Sequence, residues 1–111
     1  MKIKKEGKEI NIGKVKKVNE FGKAIGLMFS RREKADSLLF KFKKPTKLKI
    51  HSHFVFFPFL AIWLDEADNV LELKRVNPFK LNVGIKESFS KLIEIPINKK
   101  YKGTVKLLVG D

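Results

Sequence analysis

A chain of 111 residues has room for one hydrophobic core and too little for two, so a single domain is expected. Hydrophobic residues make up 43% and charged residues 33%, a mixture that excludes a disordered chain, and the net charge of +13 points to anionic partners. The absence of cysteine excludes disulfides, thiolate metal sites and a cysteine nucleophile together, and fits a reducing compartment, of which the cytoplasm is the simplest.

In chain order, Ile3, Gly7, Ile10 and Ile12 alternate among lysines and glutamates and predict a hairpin turning near Gly7. The lysines of residues 1–8 are followed by no apolar run of seven or more residues, so the start does not read as a secretory signal. Val15, Val18, Phe21, Ala24 and Ile25 recur at spacings of three and four, which predicts a short amphipathic helix over about residues 15–25 with Gly26 at its end. A charged turn over residues 31–36 leads to a strand over residues 37–42 with Leu38, Phe40 and Phe42 on one face. Residues 43–49, with Pro45 inside, read as a solvated basic loop.

Residues 50–57 are expected to form the next strand, apolar on both faces from Phe54 onward and so covered on both sides, with residues 59–64 continuing it beyond Pro58. The apolar stretch 54–64 is far short of the roughly 20 residues a membrane-spanning helix needs. Residues 65–69 read as a hairpin turn by their Asp and Asn content, with residues 70–76 as the returning strand, closed by Asn77 and Pro78. Ile93, Ile95 and Ile97 mark a further strand with Leu92, Glu94 and Pro96 on its other side, and Pro96 argues for an edge position or a strand end. A turn near Gly103 leads into residues 105–109. The fold class that results is mainly β, a compact antiparallel β-sandwich or barrel with one short N-terminal helix.

Gly26, Leu27, Met28 and Phe29, then Leu38, Leu39, Phe40, Lys41 and Phe42, followed by PFLAIWLD from Pro58 to Asp65, by Val76, Asn77 and Pro78, and by residues 92–96 with the closing Gly110 and Asp111, resemble in order and spacing the family catalogued as domain of unknown function 192. The resemblance runs over about residues 15–111 and implies a mainly β sandwich or barrel. The family has no established activity, so the resemblance implies no reaction. Where the family commonly shows an aromatic pair, methionine, lysine, asparagine and threonine, this chain has Ile50, His51, Ser52, His53, Phe54 and Val55, and Leu60 stands where an aspartate is usual.

Charge is uneven along the chain. Residues 1–50 hold 16 basic against 5 acidic residues, and residues 51–111 hold 9 against 7, which places the basic surface in the first half. An anionic ligand or nucleic acid engaging Lys14, Lys16, Lys17, Arg31 and Arg32 is the reading this supports. The competing reading is compositional: 22 of the 25 basic residues are lysine and glutamine is absent, a bias typical of archaeal and other hyperthermophile proteins.

Arg31, Arg32 and Lys34 form a compact basic turn able to grip a phosphate or carboxylate, set against the plainer reading of a solvated turn. His51 and His53, two apart on an expected strand, share a face and could join a metal, but two ligands do not make a site and a third would have to come from Asp65, Asp68, Glu72 or Glu94. The run Phe54, Phe56, Phe57 and Phe59 could be a base-stacking platform, but its neighbours Val55, Pro58, Leu60 and Ile62 favour core packing. No nucleophile elbow, phosphate loop, dinucleotide fingerprint or zinc-protease motif is present, so no catalytic residue is assigned and no cofactor is implied. The reading is an uncharacterised basic domain, a non-enzymatic ligand-binding or accessory module with no membrane partner. Its alternatives are non-specific nucleic-acid binding through the basic half and a metal-dependent enzyme using His51 and His53.

Overall fold

The structure is a computed structural model and describes residues 1–18, 27, 30–52 and 55–110. It begins with a tight hairpin, β1 (Lys2–Lys5) paired antiparallel with β2 (Lys8–Asn11). Glu6 and Gly7 between them take φ of 51° and 79°, the two left-handed residues that a two-residue hairpin turn requires. This is the expected turn at Gly7.

The main sheet holds β3 (Lys16–Val18), β4 (Leu38–Thr46), β5 (Phe59–Leu64), β6 (Val70–Val76) and β7 (Phe89–Pro96) in the order β3-β4-β7-β5-β6. Every pairing is antiparallel except β3 with β4, which is parallel. The sheet stays open, with β3 and β6 at its edges, so it is not a barrel.

Each face of this sheet carries its own core. Phe57, Phe59, Ala61, Trp63, Phe89 and Leu92 pack with Leu38 and Phe40 on one face. On the other, Leu39, Leu60, Ile62, Leu64, Ile93 and Ile95 meet Ile3 and Ile12 of the hairpin region and Leu108 of α1 (Lys102–Val109). All six residues of β5 are buried, as the period of two requires when both faces are covered. Fully burying a large apolar side chain stabilises by roughly 1.5–3 kcal/mol, so the rings of Trp63, Phe57, Phe59 and Phe89 carry much of the stability.

Three sequence expectations change. Among the described residues the α-helix lies at the C-terminal end, and the helix expected to start near residue 15 is not found there. Residues 16–18 are drawn into strand β3, where the Lys16 N–H donates to the Ser37 carbonyl at 2.7 Å, and residues 19–25 lie outside the described residues. The continuously buried strand is β5 alone. Among the described residues of 50–57, backbone pairing reduces to the Ile50–Val83 bridge, because Ser52 spends its backbone groups on the turn after β6 instead. Residues 43–46, expected as loop, extend β4 through a register shift between Lys41 and Thr46 that accommodates Pro45. Of the two places expected for Pro96, an edge or a strand end, the structure shows the second: it closes β7, a central strand, where its missing N–H falls at the strand end. Among the described residues no helix is long and apolar enough to cross a membrane.

Candidate functional site

The chain reaches the first face of the sheet through Leu27, buried in the core, and a single 3-10 turn over Arg32–Lys34. Such a turn is too short to hold itself, and its position is set from outside by the segment after β7. The amide nitrogen of buried Asn98 donates to the carbonyls of Arg32 at 2.7 Å and Ala35 at 3.2 Å, and its side-chain oxygen accepts the Tyr101 N–H at 3.1 Å. Arg32 Nε donates to the Ile97 carbonyl at 2.7 Å, and Glu33 accepts the Lys99 N–H at 2.8 Å. The Tyr101 hydroxyl accepts the Ser37 N–H at 2.8 Å, which fixes the start of β4.

Held this way, the turn and the edge of the sheet form a cleft of about 330 Å³ lined by Lys16, Leu27, Ser30, Arg31, Lys34, Ala35, Asp36 and Leu38. Its floor is apolar, made by buried Leu27, Ala35 and Leu38. Its rim is cationic, with Lys16 arriving from β3 because the parallel register sets it beside Leu38. Asp36, the one acid in the lining, is engaged by Lys100 at 2.6 Å. That hydrogen bond, together with the charges of Lys100 and Lys16, holds the Asp36 carboxyl below its ordinary range despite the opposing effect of burial. Three cations therefore face an apolar floor with their local counter-charge already taken.

Glu94 lies next to this floor. The register places it directly opposite Leu38 on β4 and Ala61 on β5, on the core face that also bears Trp63. Beyond Ala61 in the same row stands Lys74, whose ammonium donates to the Gly84 carbonyl at 2.6 Å and lies 5.8 Å from the Trp63 ring centre. Among the described residues no hydrogen bond or ion pair reaches Glu94, and burial raises its pKa to about 8. At neutral pH it is mostly a neutral carboxylic acid, a hydrogen-bond donor rather than a charge.

The residues picked out from sequence are dispersed. Arg31 and Lys34 belong to the cleft, as does Lys16, whereas Lys17 faces the opposite side of the sheet and Lys14 is exposed before β3. Arg32 turns to the Ile97 carbonyl, in a separate depression with Glu33, Asn98, Lys99 and Lys102. His51 is exposed on the segment before β5, and His53 lies outside the described residues. No three His, Cys, Asp or Glu residues gather as metal ligands among the described residues. Phe57 and Phe59 are core, but Phe56 is 60% exposed and so departs from the expected packing of that run. Asn98 escaped sequence reading entirely, since an asparagine two residues past a strand gives no sign of the distant carbonyls it joins.

The sequence profile of the family described as an uncharacterized ACR, domain of unknown function 192, matches residues 1–106. The chain belongs to this family. No curated protein matches it. Its fold is similar to that of a protein of unknown function from Novosphingobium aromaticivorans DSM 12444, with a TM-score of 0.61, 15% identity and coverage of 74% of this chain and 60% of that one. It is also similar to a structure from Sinorhizobium meliloti 1021 that carries the provisional name of a transcription regulator, with a TM-score of 0.75, 19% identity and coverage of 96% and 81%. This chain thus spans 60% of the length of the Novosphingobium protein. At these identities the likeness shows the fold alone. This member of the domain of unknown function 192 family is an uncharacterised mainly β domain.

Proposed function

We propose that the protein is a non-enzymatic ligand-binding module that takes a small organic anion with an apolar tail in the cleft at the 31–36 turn. The observation that carries this reading is the convergence of Lys16, Arg31 and Lys34 on an apolar floor whose one acid, Asp36, is occupied by Lys100. A guanidinium grips a carboxylate or phosphate through two parallel hydrogen bonds, and burial of the tail supplies the remaining affinity. A volume of about 330 Å³ suits a ligand of modest size. The cytoplasm is its proposed compartment, supported by the absence of cysteine.

Hexanoate, hexanol and inorganic phosphate titrated separately against labelled protein, with backbone amide shifts followed by NMR, test the proposal. Hexanoate should shift the amides around Arg31, Ala35 and Leu38 saturably, with much weaker effects from the other two, and Arg31→Ala should remove the response. Equal response to phosphate and hexanoate, or shifts spread over all lysine-bearing surfaces, would end it.

Contact with nucleic acid through the basic N-terminal half is a second reading, supported by a different observation. The Lys41 ammonium has its pKa lowered chiefly by the adjacent charge of Lys17, with Lys91 adding to it, and a phosphate lodged among them would relieve that repulsion. A salt titration of duplex DNA binding tests it: affinity should fall steeply between 50 and 200 mM salt, by orders of magnitude if several phosphates are neutralised.

A further inference from the structure

Ser52 is fully buried between the segment that precedes β5 and the turn that follows β6. Its hydroxyl donates to the Asn77 carbonyl at 2.7 Å and accepts the Lys80 N–H at 2.6 Å, so it occupies the place of that turn's own closing hydrogen bond. Its backbone adds two more bonds, donating to the Lys80 carbonyl at 2.7 Å and accepting the Phe79 N–H at 3.0 Å.

The turn clamped in this way holds Pro78 and then Phe79 at φ 61°. A proline followed by a residue in the left-handed region is a turn that favours glycine or asparagine at the second place, and a phenylalanine there is strained. The strain does not serve burial, since Phe79 is 54% exposed. Its ring stands 5.5 Å, edge to face, from the ring of Phe56, itself 60% exposed. Lys80, itself exposed, follows Phe79 directly. Two solvent-facing rings on a rigid, strained support beside a lysine are costly to maintain for a fold that could place glycine there.

We propose that the Phe56–Phe79 pair is a stacking platform for the bases of single-stranded nucleic acid, with Lys80 meeting an adjacent phosphate. The proposal goes beyond the nucleic-acid reading by adding a contact outside the basic N-terminal half, and it rests on that reading for the attraction of a polyanion. Every base offers a flat π face to such rings, so the contact is indifferent to sequence, whereas a duplex keeps its bases stacked and offers no free π face along its length. The aromatic character of the contacting pair and the overall charge of +13 match a polyanion bearing rings better than a lipid surface.

Fluorescence anisotropy of the full chain against labelled dT15, a 15-mer abasic strand, a 15-base-pair duplex and phosphatidylserine vesicles tests it. The proposal expects dT15 to bind more tightly than the abasic strand. Phe56→Ala should weaken dT15 binding at least about fivefold while leaving abasic binding and the salt slope unchanged. Phe79→Gly should do the same while keeping or raising Tm, because glycine accepts the left-handed backbone, so lost binding is not lost folding. Equal binding of dT15 and the abasic strand, or no effect of Phe56→Ala, overturns the platform while leaving the nucleic-acid reading standing. Absence of binding to all three nucleic acids overturns both. Vesicle binding that depends on Phe56, without preference for dT15 over the abasic strand, assigns the pair to a lipid surface and overturns it as well.

Discussion

Lys41 on β4 is registered directly opposite Lys91 on β7, so that two ammonium groups share one face of adjacent central strands. Like charges placed this way repel, and Lys17 on β3 brings a third. Lys91 escapes part of this through its ion pair with Asp68 at 2.6 Å, but the charge beside Lys41 is dominated by lysine.

Lys41→Glu should therefore stabilise the fold, because the new carboxylate would pair with Lys17 and Lys91. The expected outcome is a modest rise in Tm by calorimetry at low salt that shrinks as salt is added, since the side chain is exposed and its charge is screened. The same substitution should weaken duplex DNA binding if this surface contacts phosphate.

Glu94 gives the protein a pH dependence opposite in sign to that of a salt-bridged carboxylate. Its folded pKa of about 8 lies above the ordinary glutamate range, so the folded state holds a proton that the unfolded chain releases near pH 4 to 5. Stability is then complete below that range and declines, by up to about 1.4 kcal/mol per pH unit, until the folded group itself ionises near pH 8. Urea denaturation from pH 5 to 9 should show this decline, and Glu94→Gln, which keeps the shape without the ionisation, should flatten it.

Asn98→Ala removes the amide that joins the carbonyls of Arg32 and Ala35 to the Tyr101 N–H. Leaving such groups unsatisfied should cost on the order of 1–3 kcal/mol, seen as a lower urea midpoint with unchanged slope. Because the same amide positions the 31–36 turn, hexanoate affinity should fall as well, although Asn98 is absent from the cleft lining.

Ser52→Ala should cost about 1–3 kcal/mol, since the Asn77 carbonyl and the Lys80 N–H lose the hydroxyl between them. Amide hydrogen exchange should quicken at Phe79 and Lys80 before it changes in β5 or β7, because the clamp ties two segments and not the sheet.

The sequence by itself determined those features whose cause is local. The turn at Gly7, the Asp65–Asn69 turn, in which Asp65 accepts the N–H groups of Ala67 and Asn69 at 2.9 Å each, and the strands that became β4, β5, β6 and β7 follow from turn chemistry and from alternation of apolar residues. The order and spacing of the family's motifs were legible in the same way. Of the site, residues 31–34 could be recognised as a cationic turn, but not as one wall of a cleft. Only the tertiary structure decided the rest. The three-and-four spacing that begins with Val15 and Val18 suits a helix until the Ser37 carbonyl and residues 38–40 offer residues 16–18 a strand to pair with. Phe56 and Phe57 are adjacent identical residues, one 60% exposed and the other buried in the core on the first face of the sheet, and only the folded chain tells them apart. Glu94 has an ordinary pKa in any unfolded chain and a raised one only where two neighbouring strands enclose it. These properties belong to pairs of residues distant in sequence, and such pairs exist only once the sheet has formed.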